Sequence, residues 1–152
     1  MSVTSAKCFE KYGDPYKEKN LSLLYLPTVL LEANPKLPKR IYLNNDAHAP
    51  LLTALNLAHA RRVLQEIKTF DGAFNIRKIR GLNEMSLHSW AVAVDFNAAH
   101  NPLGFSYGAA QERGLKPFSE AFLQCFRETG WECGGDWRGR PDRQHFQLAK
   151  LP

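Results

Sequence analysis

Two polar pairs stand out in the C-terminal half of this 152-residue chain. His88 and Asp95 interrupt the apolar run Ser86-Leu87-His88-Ser89-Trp90-Ala91-Val92-Ala93-Val94-Asp95-Phe96, and Asp142 and His145 bracket the short segment Asp142-Arg143-Gln144-His145. An unpaired charge in apolar surroundings is expensive. Taken singly, a His in a strand is more often a hydrogen-bonded core residue, and an Asp such as Asp142 a turn residue. Jointly they offer the donor set of a mononuclear zinc site, because zinc takes nitrogen and carboxylate ligands tetrahedrally and a catalytic site leaves its fourth position to water. His88, Asp95 and His145 are read as ligands of one Zn2+ per chain. Asp142, three residues before His145, is read as the general base acting on a water whose pKa the ion lowers to roughly 7.

These residues need elements to hold them. Apolar positions recur at helical intervals from Pro50 to Thr69, with Asp71-Gly72 as a stop, and predict the main helix. Phe74 to Arg80 alternates like a half-buried strand. Trp90 to Phe96 predicts a second strand, with Trp90, Val92, Val94 and Phe96 on one face and the small Ala91 and Ala93 with Asp95 on the other. His88 lies just before it, so a loop or a bend must bring His88 and Asp95 together. Asn97 to Gly114 reads as a polar loop, and Phe118 to Thr129 as an amphipathic helix stopped by Gly130. Trp131 to Gly134 and Gln144 to Ala149 predict short strands, the latter with His145 and Gln147 facing one way and Phe146 and Leu148 toward the core. Residues 1–49, rich in Pro, Lys and Asn, read as an N-terminal wrap without regular structure. The prediction is one α+β domain over 1–152, a small antiparallel sheet flanked by helices, with the metal site within 86–145.

Ser-x-His, six residues and Asp, then Gly-Gly-x-Trp and Asp-x-x-His-Phe, in that order, resemble the zinc peptidoglycan peptidases that include D-Ala-D-Ala carboxypeptidases and L-alanyl-D-glutamate endopeptidases, many phage endolysins among them. The resemblance spans Phe74 to Leu148. It implies the fold shared with the hedgehog signalling domain, zinc on His88, Asp95 and His145, and Asp142 as catalytic base. It also implies an Arg upstream of the first His that stabilises the oxyanion: Arg77 is the closest match and Arg80 the competitor, a substrate-binding residue if not the oxyanion donor. Ser86 resembles a substrate-contacting serine, and Trp137 is a candidate for the groove wall, with core packing as the plainer role. One departure is Ala91, where the family commonly has Gly; the expectation is a slightly narrowed cleft.

The substrate implied is the peptidoglycan stem peptide. L-alanyl-D-glutamate endopeptidase activity is the first reading and D-Ala-D-Ala carboxypeptidase activity the second; a non-catalytic zinc-stabilised binding module is the alternative from another class. The N-terminus lacks the apolar core of a signal peptide and no run nears the roughly 20 residues of a membrane helix. A cytosolic monomer is expected, without membrane insertion, acting on the wall after release. The net charge of +5 suits an anionic partner, but Lys and Arg are scattered and no nucleic-acid motif accompanies them. Cys8, Cys125 and Cys133 show no CxxC spacing and read as reduced small hydrophobes. His48, His59 and His100 are left outside the site.

Overall fold

The computed structural model describes residues 2–152. It is α+β, with two small antiparallel sheets and five helices. The first 49 residues are not irregular. They form α1 (Ser5–Tyr12), β1 (Leu21–Tyr25), α2 (Thr28–Ala33) and β2 (Arg40–Asn44), and β1 pairs with β2. Their short lengths and the intervening Pro and Asn turns hid them from periodicity, which needs several turns to register.

The main helix, α3 (Asn45–Ala60), starts five residues before Pro50 and ends nine before Thr69. Asn44 caps it by accepting from the Asp46 amide at 3.0 Å, a start signal of ordinary strength. Arg62, in the left-handed region at φ 62°, ends the run, and the apolar residues beyond it fall in a one-turn 3-10 segment at Leu64–Glu66.

The second sheet runs β3 (Phe70–Gly72), β4 (Ala93–Phe96), β6 (His145–Leu148) and β5 (Trp131–Cys133). The strand expected over Phe74–Arg80 is absent: that stretch is irregular, tied to the segment 84–89 by scattered backbone hydrogen bonds and an isolated bridge from Lys78 to Met85. The expected polar loop holds a short helix, α4 (Tyr107–Glu112). Helix α5 (Glu120–Arg127) covers the face of the sheet opposite the polar pairs. There Phe96, Phe118, Phe122, Phe126 and Phe146 form a buried aromatic cluster, with Phe126 and Phe146 centroids 4.3 Å apart.

Trp90 is not on β4. Leu87–Trp90 is a 3-10 turn, and Ala91 leaves it at φ 52°, ψ 38°. Here lies the meaning of the departure from glycine. Ala91 is fully buried, does not line the cleft and narrows nothing; the position asks for left-handed backbone, which glycine adopts freely and alanine at a cost of roughly 1 kcal/mol. The N-terminal elements brace this turn. Asn44 donates to the Ala91 carbonyl from its amide (3.0 Å) and to the Trp90 carbonyl from its side chain (3.1 Å), while Trp90 Nε1 donates to the Gly13 carbonyl (2.9 Å).

Cys8, Cys125 and Cys133 are all buried and free, with burial pushing the Cys8 and Cys133 thiols up to about 12. Among the described residues no helix is long and apolar enough to cross a membrane.

Candidate metal centre

Strand register does most of the positioning. β4 and β6 are antiparallel with Asp95 opposite His145, and Ala93 opposite Gln147. Directly opposed side chains share a face, so the pleat alone sets a carboxylate against an imidazole. His88 arrives from the 3-10 turn, whose N-cap is Ser86; its Oγ accepts from the His88 amide at 3.2 Å. The three residues meet with one ligand atom of each within 4.8 Å of the others. Both imidazoles are buried, and the ring centroids stand 5.1 Å apart, edge to face.

The hydrogen bonds around each imidazole decide whether the group suits a cation. The Ala73 carbonyl can only accept, so His88 Nδ1, at 2.8 Å, must donate to it. In the neutral ring this leaves a lone pair on Nε2, a buried atom with no hydrogen-bond partner of its own, 3.2 Å from Asp95 Oδ1. On the other side His145 Nε2 donates to Gln147 Oε1 at 2.9 Å, turning Nδ1 toward the same Asp95 oxygen at 3.1 Å. Two imidazole lone pairs and a carboxylate oxygen thus converge, an arrangement that repels itself until a cation or a proton sits among them. Outer partners of this kind fix the ring orientation of metal-bound histidines. Burial works against the charge on Asp95, but a proton held by His145 or His88 in the metal-free site outweighs it and holds the carboxyl below its usual range. The donor set and its second layer fit zinc.

Asp142 lines the same cleft, with His88, Asp95 and His145 at its base. Its Oδ1 is buried without a hydrogen-bond partner. Burial raises its pKa above 3.8; the nearby His145 opposes that shift and the charge of Asp95 adds to it.

The cleft, about 510 Å³, also takes in Arg77, Arg80, Ser86 and Trp137. Arg77 and Arg80 are exposed on one wall. Ser89 Oγ clamps the Arg77 backbone, approaching both its amide and its carbonyl at 3.2 Å. Trp137 stands opposite, its ring centroid 5.3 Å from that of His145 and its Nε1 donating to Glu132 at 2.7 Å. His48 and His100 are spent elsewhere, on backbone groups of Ser22, Leu43 and Lys116.

Residues 80–148 match the protein-family model described as D-alanyl-D-alanine carboxypeptidase. The matched segment holds His88, Asp95, Asp142 and His145 and leaves Arg77 just outside. No curated protein and no solved structure shows a significant match to the chain.

Several residues that shape the site could not be found by reasoning on ligand types. Ala73 acts through its carbonyl, which no side-chain pattern reports. Gln147 showed only its strand face. Gly134, within the Gly-Gly-x-Trp motif, has a steric role: a Cβ there would lie 2.4 Å from the Asp142 carbonyl oxygen and 3.2 Å from His145 Cβ, while its own carbonyl accepts the Asp142 amide at 2.8 Å. Gly134→Ala is therefore expected to destabilise the fold by about 2–3 kcal/mol through overpacking against backbone and to shift Asp142. Thermal unfolding and turnover of the purified variant check this; an unchanged midpoint with unchanged turnover would contradict it.

Proposed function

We propose that this chain is a zinc peptidase that hydrolyses the peptide stem of bacterial peptidoglycan. The observation that carries the reading is the convergence of two imidazole lone pairs and one carboxylate at the base of a cleft that also holds a second, unpartnered carboxylate of raised pKa. The family match over residues 80–148 supplies the substrate class.

A bound zinc ion supplies a Lewis acid that polarises the scissile carbonyl and acidifies the attacking water. Asp142 removes a proton from that water and later hands it to the leaving amine. Arg77, on the facing wall, donates to the oxygen on which negative charge develops, with Arg80 as its alternate. Ser86 holds the His88 turn and, with Trp137, flanks the bound peptide. The motif resemblance supports an L-alanyl-D-glutamate endopeptidase of the endolysin type on a hedgehog-like fold. The description of the matched family favours a second reading, a D-Ala-D-Ala carboxypeptidase.

The test is metal analysis of the purified protein together with mass spectrometry of muropeptides digested with and without chelator. About one zinc per chain and chelator-sensitive cutting of the stem are expected. Release near the root of the stem identifies the endopeptidase, and release of terminal D-Ala the carboxypeptidase. Bound zinc with no turnover on any muropeptide would replace the enzyme reading with a zinc-stabilised binding module.

A further inference from the structure

The cleft carries more positive charge than the one arginine that the proposed chemistry uses. Four guanidinium groups line it: Arg77 and Arg80 from one wall, Arg138 and Arg140 from the turn opposite. All four are exposed, and none forms an ion pair among the described residues. Of the remaining arginines, Arg61 pairs with Glu128 and Arg127 with Glu120 and Asp136; what sets the four apart is that they gather around one concave site. The two walls are joined at the rim, where Arg140 Nη1 donates to the Arg80 carbonyl at 3.1 Å. Against these four charges the lining offers two carboxylates, Asp95 and Asp142. Asp95 faces the imidazoles; Asp142 is largely buried and feels the charge of Arg140 without forming an ion pair with any of the four.

Like charges gathered around a concave site raise its potential and draw in anions. A planar guanidinium also matches a carboxylate in a two-point, charge-assisted contact that a neutral amide cannot reproduce. Resting on the stem-peptide reading above, we infer that this cleft selects stem peptides with free carboxylates over the same peptides with those groups amidated, and that Arg138 and Arg140, with Arg80, are the residues that read them. Unamidated stems are acidic peptides carrying more than one such group, which gives the opposed walls a carboxylate each.

The probe is the disaccharide-pentapeptide bearing L-Ala-γ-D-Glu-meso-diaminopimelate-D-Ala-D-Ala, in one form with its D-Glu and diaminopimelate carboxylates free and in another with them converted to primary amides. The zinc-loaded protein should cleave the free form with a kcat/KM at least about tenfold higher, the loss of one charge-assisted contact being worth that much. The difference should lie mainly in KM and shrink as salt is raised. In Arg138→Gln/Arg140→Gln the ratio between the two forms should fall toward unity. Arg138→Gln, which leaves the Arg140 to Arg80 tie in place, should lower it part of the way. Equal cleavage of both forms by the wild type, or a ratio untouched by both variants, overturns the inference and leaves the peptidase reading standing. Failure to cleave either form overturns both.

Discussion

Asp142→Asn should lower kcat by about 10²- to 10⁴-fold, the usual contribution of a positioned general base, while zinc content stays at the wild-type level. The side chain is close in size, so Gly134 and the Asp142 to His145 turn keep their packing, and none of the three converging donor atoms is touched. What goes is the capacity to accept a proton. The wild type should show its counterpart in the pH profile. Asp142 must be ionised to act, and its pKa is raised above 3.8 by burial; activity is therefore present above that raised value and lost as pH falls through it. Stopped assays across pH, paired with metal analysis, check both statements. Full turnover in Asp142→Asn would remove this residue from the mechanism.

Asp95→Ala should fail by the opposite route, by losing the metal. Asp95 Oδ1 stands between His88 Nε2 and His145 Nδ1 at 3.2 and 3.1 Å, and it is the one anion in the group. Without it two neutral imidazoles face each other across a vacated space. The expected fall in zinc affinity exceeds the roughly 10- to 100-fold that loss of an outer partner costs, and activity should fall with it. Chelator competition gives the affinity directly. Excess zinc should restore part of the turnover of Asp95→Ala and none of that of Asp142→Asn. Wild-type affinity in Asp95→Ala would mean that Asp95 is no ligand.

The residues that the fold gathers into the candidate site were legible because each breaks a local rule: a His and an Asp inside an apolar run, and a second pair beside a turn. Strand β6 was legible too, since its alternation puts Phe146 and Leu148 in the core and His145 and Gln147 in the cleft. The fold was less open to reading wherever tertiary context decides. Phe74 to Arg80 has a strand's alternation, yet its neighbour is the irregular segment 84–89, so it makes one isolated bridge and scattered hydrogen bonds in place of a ladder. Ala91 was visible as a departure from glycine, but its reason is a backbone angle that the letter alone does not carry. The bracing of the His88 turn by Asn44 and Gly13 reaches across 46 and 77 residues, beyond any window of periodicity.

The three candidate ligands come from a turn and two strands, and Asp95 and His145 are 50 residues apart in the chain. A bound ion would therefore be a cross-link as well as a reagent, closing loops whose ends are otherwise joined only through the sheet, and loop closure of that length is where such clips remove the most freedom from the unfolded chain. Because the ion binds the folded form, each tenfold rise in free zinc above the dissociation constant adds about 1.4 kcal/mol to stability. The metal-free protein, with its lone pairs set against a carboxylate, should open more readily to proteolysis than the zinc-loaded one, which limited digestion with and without chelator checks. Zinc supply should then govern how long the molecule survives, separately from how fast it works.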